Sequence, residues 1–236
     1  MGKYLDLHIH PQAEDKRSCE RMAELLSAVH YSTIGLSIPT GLPNDRIKPL
    51  RLVFEQYGVN TVSRVDLSPT SRTELLRLLR KFRNLYDIVV VNCLNQRVAT
   101  VACRDRRVDM VYFDVANRNT RFTHSFARLL RGAIEFNLVS DVVQPAESWA
   151  FSRMRKAMSI AREHRVQIVL SSGARSCEMI RSPLEITALA TTLGLSEEES
   201  IRGVSSAPSS IVNENLKKRA SNYIEEGVKI VIPSGR

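Results

Sequence analysis

The first strand-like segment of the chain carries the side chains best suited to metal chemistry. Tyr4-Leu5-Asp6-Leu7-His8-Ile9-His10 alternates strictly over seven residues, and this alternation predicts a β-strand with two chemically different faces. The three aliphatic residues are expected on one face, and Asp6, His8 and His10 on the other. A carboxylate and two imidazoles spaced two residues apart are typical of a metal-binding strand end.

A metal-dependent hydrolase needs more ligands than this segment offers. In a barrel of parallel strands, the residues that follow the strands share one rim, where active sites are normally built. The predicted rim residues are His8, His10, Arg64, Asp66, Asn92, Asp114, Ser171, Ser172 and Arg175. His30, His124 and His164 fall in predicted helices, and the last strong strand leads into Ser171-Ser172-Gly173, where a hydrolase would place Asp or His. We therefore predict no catalytic residue and no resident metal, with His8 and His10 as the remaining metal candidates.

Apolar periodicity predicts alternating strands and helices along the chain. Runs that are apolar on both faces, such as Ile88-Val89-Val90-Val91, are typical of parallel strands covered by helices. The predicted strands are 4–10, 33–38, 59–67, 87–93, 109–114, 138–143 and 166–170. Helices are predicted from Ser18, over 50–57, from Ser71, over 95–104, 122–136, 146–164 and 183–194, from Ser196, and over 208–219. The apolar segment 228–232 is expected to add a strand or to pack loosely.

This alternation predicts a single α/β domain over residues 1–236 with a TIM-barrel-like (β/α) architecture. The order of elements shows no internal repeat and no break in composition, as a single barrel requires. A doubly wound open sheet is the alternative. It is disfavoured because no glycine-rich phosphate loop follows any strand.

The basic charge of the chain is concentrated in its middle third. The formal net charge is +9, and residues 64–131 contain 14 Lys plus Arg against 6 Asp plus Glu. Of the 34 basic residues, 26 are Arg, whose planar guanidinium suits phosphates. Aromatic residues make up only 6%, so binding through backbone and shape is favoured over base stacking. The alternative is a solvated basic surface with no bound polyanion.

The candidate RNA-binding residues are arginines and one lysine at three places in the predicted fold. They lie on the third helix, before the fifth strand, and near the rim after the last strand. They are Arg72, Arg77, Arg80, Lys81, Arg83, Arg104, Arg106, Arg107, Arg175 and Arg181.

Cysteine usage and hydropathy indicate a reducing compartment and no membrane. The four cysteines are scattered without a C-x-x-C pair, which disfavours structural zinc and a disulfide framework. No apolar run approaches the roughly 20 residues of a membrane span. The chain enters its first strand without a signal-peptide core, so we expect a cytoplasmic protein.

Short motifs over most of the chain resemble one known family. They are Asp6-Leu7-His8-Ile9-His10, Ser63-Arg64-Val65-Asp66-Leu67, Asn95 to Ala99 leading to Val108-Asp109, Leu170-Ser171-Ser172-Gly173-Ala174, Arg181-Ser182-Pro183 and Val204-Ser205-Ser206-Ala207-Pro208. In this order they resemble the archaeal RNase P protein component 3, which is related to the 30 kDa protein subunit of the eukaryotic enzyme. His8 and His10 depart from what such a subunit needs, because they look like a hydrolase signature.

The resemblance implies both a fold and a function. The fold is a TIM-barrel-like domain akin to the PHP metal-dependent hydrolases, with most of the hydrolase ligands lost. The function is that of a protein subunit of RNase P, the ribonucleoprotein that removes 5′ leaders from precursor tRNA. In that enzyme the RNA holds the catalytic Mg²⁺, and the protein binds no cofactor of its own. The implied partners are RNase P RNA, precursor tRNA indirectly, RNase P protein component 2 in a heterotetramer, and other RNase P proteins.

Two other classes of function stay open at the level of sequence. The first is a free-standing PHP-type metal-dependent phosphoesterase that uses Asp6, His8, His10, Asp66 and Asp114. The second is a scaffold whose main task is to bind another protein, for which an apolar patch such as 228–232 would be the sign.

Overall fold

Seven parallel strands, each hydrogen-bonded to its neighbours in sequence order, form the centre of the protein. The computed structural model describes residues 4–12, 14–37, 44–143, 148–219, 223–225 and 228–229. The strands are β1 (Tyr4–Ile9), β2 (Tyr31–Ser37), β3 (Asn60–Leu67), β4 (Ile88–Asn92), β5 (Met110–Tyr112), β6 (Ala133–Asn137) and β7 (Ile168–Ser171).

The first and last strands meet and nearly close this sheet into a barrel. Ile9 forms a parallel bridge with Ala174, and the N–H of His10 donates to the carbonyl of Ala174 at 2.8 Å. The predicted TIM-barrel-like fold is therefore confirmed. It places the ends of β1 and β7, which are far apart in sequence, side by side at the barrel mouth.

Helices cover the outside of the barrel. They are α1 (Lys16–Ala28), α2 (Asn44–Gln56), α3 (Arg72–Phe82), α4 (Gln96–Arg104), α5 (His124–Leu129), α6 (Ser148–Glu163), α7 (Pro183–Thr192), α8 (Glu197–Gly203) and α9 (Ser206–Arg219). The predicted starts at Ser71 and Ser196 are confirmed, because both side chains accept hydrogen bonds from the first turns of their helices. Ser182, which was not predicted as a cap, does the same for α7. The first helix begins earlier than predicted, because Asp15 and not Ser18 is its N-cap.

Buried apolar residues form one core inside the barrel and one between the strands and the helices. Leu5, Leu7, Val62 and Val90 belong to the inner core, which Ile211 and Val212 of α9 complete. The larger outer core contains Ile34, Val65, Val89 and Ile134 together with the inner faces of the helices. Consecutive strand residues thus enter different cores, which is why the strands read as continuous apolar runs.

A β-bulge in β1 changes the two faces expected of this strand. The pairing register with β2 shifts between Asp6 and Ile9, so Leu5 and Leu7 pack inside the barrel whereas Ile9 packs in the outer core. The prediction that all three aliphatic residues share one face is wrong. A bulge adds a residue to one strand and reverses the alternation beyond it.

The bulge depends on a glycine in the neighbouring strand. A Cβ on Gly35 would lie 2.2 Å from the carbonyl oxygen of Leu7, closer than any side chain can approach. Gly35 therefore lets β1 bend toward β2 at the point where the register shifts.

The sixth strand lies earlier in the sequence than predicted. The interval assigned to a helix over 122–136 contains the six-residue helix α5 and then β6, all of whose residues are buried. The segment 138–143, predicted as a strand, contains a π-helical turn at Val139–Val143. Both predictions are wrong because Glu135 does not face solvent, as it would on an amphipathic helix; its charge is paired with Arg64 inside the barrel.

Two short strands follow α9, and no described helix could cross a membrane. Tyr223–Glu225 and Val228–Lys229 pair antiparallel, so part of the predicted segment 228–232 is a strand, and its residues 230–232 lie outside the described residues. Among the described helices, none is both long and apolar enough to span a bilayer.

Candidate functional site

Arg64 of β3 lies at the centre of the barrel mouth and is fully buried. Its guanidinium donates to both carboxylate oxygens of Glu135 at 2.5 Å, to Asp66 at 2.6–3.2 Å, and to the carbonyl oxygen of Leu7 at 2.8 Å. Burial opposes the charge of this side chain, but the carboxylates of Asp66 and Glu135 raise the pKa of Arg64 above its ordinary value. The barrel mouth therefore contains a permanently charged guanidinium group.

Asp66 is an ionised carboxylate held by this cation. Burial favours its neutral form, yet the charges of Arg64 and His8 keep the pKa of Asp66 well below its usual range. The hydroxyl of Ser37 also donates to this carboxylate. Its oxygen atoms are thus already hydrogen-bonded before any ligand enters the mouth.

His8 and His10 face each other beside Asp66. The Nδ1 of His8 lies 2.6 Å from the Oδ1 of Asn137, and the Nε2 atoms of the two histidines lie 2.6 Å apart. Because an amide oxygen only accepts, this contact assigns a proton to the Nδ1 of His8. Burial, followed by the charge of His8, lowers the pKa of His10 to about 3, so His10 is neutral at physiological pH.

These residues do not complete the metal centre of a hydrolase. Ligand atoms of His8, His10 and Asp66 all lie within 4.8 Å of one another, and two imidazoles with a carboxylate are ligands for a transition metal. Asp66, however, is bonded to Arg64, and a two-metal hydrolytic site needs several further ligands. The donor set described here therefore does not fit such a centre.

The other two acids of the phosphoesterase hypothesis lie away from this cluster. The carboxylate of Asp6 accepts the backbone N–H groups of His8 at 3.1 Å and Ser172 at 3.2 Å. The carboxylate thereby gives the N–H of His8 in the bulge a hydrogen-bond acceptor, and it links β1 to the residue that follows β7. Asp114 accepts the N–H of Ala116 at 2.8 Å in the loop after β5. The prediction that Asp6 shares a face with the two histidines is wrong.

Sequence reasoning missed three polar residues of the mouth, namely Glu135, Asn137 and Asp141. The first two lie on β6, most of which was predicted as helix, so the alternation of residues in Ala133–Asn137 was not used. The hydroxyl of Tyr112 donates its one hydrogen to the carboxylate of Asp141, lying 2.9 Å from each oxygen, and the hydroxyl of Ser140 donates to Oδ1. Burial raises the pKa of Asp141 to about 7, so its carboxyl group stays largely protonated below that pH.

A second histidine cluster lies on the outer surface, where the sequence predicted helical histidines. His124 Nδ1 and His164 Nε2 are 3.0 Å apart, and Glu163 Oε1 lies 3.5 Å and 3.9 Å from these atoms. The two rings pack edge to face with centroids 5.3 Å apart. This contact joins the start of α5 to the end of α6.

Most of the predicted RNA-binding cations are exposed. Arg72, Arg77 and Arg80 lie on the outer face of α3, and Arg104 and Arg106 follow on α4 and after it; within the described part of the chain, none of the five forms a salt bridge. Lys81 lies over the ring of Phe82, 5.0 Å from its centroid. These side chains are free to pair with an external anion.

Three of the predicted cations are engaged within the protein. Arg83 bonds Asp109 at 2.5 Å and Asn215 at 3.0 Å, and Arg107 holds Asp105 through two hydrogen bonds. Arg181 donates to the carbonyl oxygens of Glu178 and Ile180. Their guanidinium groups stabilise loops and helix ends, a role that the sequence did not reveal.

The ten candidates lie near opposite ends of the barrel. The helices run antiparallel to the strands, so the last turn of α3, the end of α4 and Arg106 lie near the amino ends of the strands. Arg175 and Arg181 follow β7 and lie near the mouth, and the charge of Arg175 reaches His10. The predicted residues therefore form two separate surfaces.

The sequence matches the family described as RNase P subunit p30 over residues 3–220. The chain belongs to the RNase P subunit p30 family. It is thus a protein subunit of ribonuclease P, as its motifs predicted, and this function is favoured over a free-standing phosphoesterase.

Curated relatives extend over nearly the whole chain. Ribonuclease P protein component 3 of Methanosarcina barkeri is 25% identical, covering 97% of this chain and 96% of the relative. The protein of the same name from Methanothermobacter thermautotrophicus is 26% identical over 97% of this chain and 96% of the relative. Protein GAMETOPHYTE DEFECTIVE 1 of Arabidopsis thaliana is 24% identical over 93% of this chain but only 38% of its own length.

Solved structures support the fold assignment. A chain in the structure of an archaeal ribonuclease P with mature tRNA superposes with a TM-score of 0.82 and 20% identity, over 98% of this chain and 100% of that chain. A histidinol phosphate phosphatase from Lactococcus lactis superposes with a TM-score of 0.53 and 12% identity, over 84% of this chain and 94% of that chain. This p30-family barrel therefore shares its fold with a phosphatase.

Proposed function

We propose that this RNase P subunit is non-catalytic by itself and acts by neutralising phosphates of the catalytic RNA. The observation that carries the proposal is the set of exposed arginines on α3, on α4 and just after α4 that form no salt bridge among the described residues: Arg72, Arg77, Arg80, Arg104 and Arg106. A folded RNA concentrates negative charge, and each protein cation that replaces a counterion lowers the cost of its compact state.

The barrel mouth supports the non-catalytic half of this proposal. The charge that a metal ion would supply to Asp66 and Glu135 comes from Arg64, whose guanidinium is bonded to both carboxylates. Arginine cannot activate a water molecule, because it offers no open coordination position. In this proposal the Mg²⁺ of the reaction is held by the RNA, and the chain binds no cofactor.

The partners and location of the chain are part of the proposal. By analogy with its relatives, it binds RNase P RNA together with RNase P protein component 2 in a heterotetramer, contacts other RNase P proteins, and affects precursor tRNA indirectly. We place this assembly in the cytoplasm. The two separate basic surfaces suit a subunit that touches the RNA at more than one place.

Reconstitution with RNase P RNA tests the proposal. Cleavage of precursor tRNA is followed while Mg²⁺ is lowered, with the chain alone, with component 2 alone, and with both. We expect the pair to support cleavage at a lower Mg²⁺ concentration than either protein alone. An unchanged Mg²⁺ requirement would contradict the charge-neutralising role.

A second measurement separates this function from independent catalysis. The RNA-free protein is incubated with a phosphate ester and Mn²⁺ or Zn²⁺, with His8→Ala as the matched variant. We expect background hydrolysis from both. Metal-dependent turnover that is lost in His8→Ala would instead assign the activity to the barrel mouth.

A further inference from the structure

A cavity of about 750 Å³ lies outside the barrel, between α4, α5 and α6. α5, on one side of the cavity, has only six residues. The buried side chains of Ile134 and Phe136 of β6 form part of the cavity wall. A volume of this size is within the range of roughly 300–1,000 Å³ that is typical of small-ligand sites.

The walls of this cavity are strongly cationic. Arg118, Arg121, Arg153 and Lys156 line it, and Asp114 is the sole carboxylate among the described residues that line it. Three of the cations, Arg118, Arg121 and Lys156, are exposed and form no salt bridge within the described residues. An excess of positive charge around a concave surface attracts anions.

Arg153 is held in place for contact with such an anion. One of its terminal nitrogens donates to the carbonyl oxygen of Asn117 at 2.5 Å and reaches that of Thr120 at 3.5 Å. Burial, and then the charge of Arg121, lowers the pKa of Arg153. The fixed guanidinium keeps further donors available, and a bound anion would relieve the repulsion between the arginines.

A buried polar atom in the lining has no partner in the described part of the protein. The hydroxyl of Thr120 is hydrogen-bonded to none of the described residues, although Thr120 is only 3% exposed. A buried hydroxyl without a partner is costly. A polar ligand in the cavity would offer it one.

Aromatic side chains supply a surface for a flat ring. Phe113, which is partly exposed, lines the cavity with Phe122 and Phe126, and its ring centroid lies 5.4 Å and 5.6 Å from theirs. One turn before Arg153 on α6, beside the residues that line the cavity, Trp149 is 41% exposed, and the guanidinium carbon of Arg153 lies 6.0 Å from its ring. Aromatic rings beside arginines are the combination that binds unpaired nucleotides.

We propose that this cavity binds an unpaired nucleotide of single-stranded RNA. Arg118, Arg121 and Arg153 hold its phosphodiester, and the base packs against Phe113. The inference rests on the proposed function, since it gives the RNase P subunit a contact with RNA beyond phosphate neutralisation. None of these residues belongs to the cation set predicted from the sequence.

The single tryptophan of the chain reports on this site. Trp149 fluorescence of the full-length protein is followed while a 5′-phosphorylated single-stranded oligoribonucleotide of about six residues is added. We expect saturable quenching, and binding about 10-fold weaker for Arg121→Gln, which removes one charge-assisted contact. Arg155→Gln on the exposed face of α6 removes the same charge outside the cavity and should change the affinity less than 2-fold.

Control ligands identify the source of the bound group. Adenosine monophosphate and inorganic phosphate should quench only at far higher concentration than the oligonucleotide, and a duplex RNA of equal length should bind weakly. Equal affinity for the oligonucleotide and adenosine monophosphate would overturn the proposal in favour of a free nucleotide. Equal effects of Arg121→Gln and Arg155→Gln would overturn it in favour of a diffuse basic surface.

The same variants separate this inference from the proposed function. If the reconstituted enzyme still gains cleavage at low Mg²⁺ while Trp149 shows no quenching by the oligonucleotide, the cavity proposal fails and the subunit function stands. If the protein leaves the Mg²⁺ requirement unchanged yet Trp149 is quenched as expected, the cavity proposal stands and the neutralising role fails.

Discussion

The guanidinium of Arg64 and the carboxylate of Glu135 lie fully buried inside the barrel and are joined by two hydrogen bonds of 2.5 Å, one to each carboxylate oxygen. Glu135 also accepts the hydroxyl of Ser171 at 2.8 Å. The pair links β3, β6 and β7 across the barrel mouth. A side chain of the protein thus supplies positive charge at the barrel mouth, where barrel enzymes normally build their active sites.

Removing the charge of Glu135 is expected to destabilise the fold. In Glu135→Gln the buried guanidinium keeps only Asp66 as its counter-ion, and breaking a buried pair costs about 3–5 kcal/mol. Chemical denaturation measures the loss. Glu24→Gln, the same change on the exposed face of α1, should stay within about 0.5 kcal/mol of the unmodified protein. Equal stability of the two variants would show that Arg64 does not need this partner.

Asp141 is expected to make stability fall as the pH rises. Burial raises the pKa of Asp141 from 3.8 to about 7, so between these values the folded chain keeps a proton that the unfolded chain has released. Its contribution is fully present below pH 3.8 and is lost as the pH passes 7.

Asp141→Asn should remove this dependence. Since one pKa unit corresponds to about 1.4 kcal/mol, the stability of the variant relative to the unmodified protein should be about 2.5 kcal/mol greater at pH 8 than at pH 5. Denaturation at both values measures it, with Glu55→Gln as an exposed control. A relative stability that does not change with pH would refute the buried-proton interpretation.

The exposed arginines are expected to govern the salt dependence of RNA binding. Replacing Arg77, Arg80 and Arg104 together by Ala should reduce the slope of log K against log salt by about 2–3, because each phosphate contact contributes close to one. Binding to RNase P RNA at several salt concentrations gives the slope. Arg17, Arg202 and Lys217, replaced together by Ala, remove the same charge elsewhere. If both triple variants show the same slope, the assignment to α3 and α4 is wrong.

Arg83 is expected to contribute more to the stability of the fold than to RNA binding. Arg83→Ala removes bonds to Asp109, Asn215 and the carbonyl of Arg107, and should cost about 1–3 kcal/mol of stability since it leaves partly buried acceptors unpaired. Arg80→Ala, on the exposed face of the same helix, should change stability by less than about 0.5 kcal/mol. Thermal unfolding compares the two. The opposite order would mean that Arg80, not Arg83, anchors α3.

Local patterns were sufficient for most elements of the fold. The helix of Leu75, Leu79 and Phe82 was predicted from its spacing, and β4 from its run of consecutive apolar residues, because each element buries a face that its own sequence defines. The prediction failed for β6, because the sequence around a glutamate in a buried strand can look the same as the sequence around a glutamate on a helix surface. Its partner, Arg64, is 71 residues away.

The candidate site was less accessible to sequence reasoning than the fold. His8, His10 and Asp66 were correctly expected at one rim, since the rule that strand ends meet is general for barrels. The sequence could not predict that the side chain of Asp6 lies apart from these three residues. Its position follows from the bulge in β1, and that bulge requires the close approach of Gly35 to Leu7.

The sequence by itself determined the family, the barrel and the excess of arginine. The order of the motifs, the spacing of apolar residues and the number of charged residues can all be read without knowing which residues meet in the fold. Only the tertiary structure decided which arginine side chains pair with carboxylates of the protein and which face outward without such a partner. Arg64, Arg83 and Arg107 are bound to carboxylates, whereas Arg72, Arg80 and Arg106 form no salt bridge with any described residue. An arginine has the same local signature in both situations, and its role depends on whether folding brings an acid from elsewhere in the chain into contact with it.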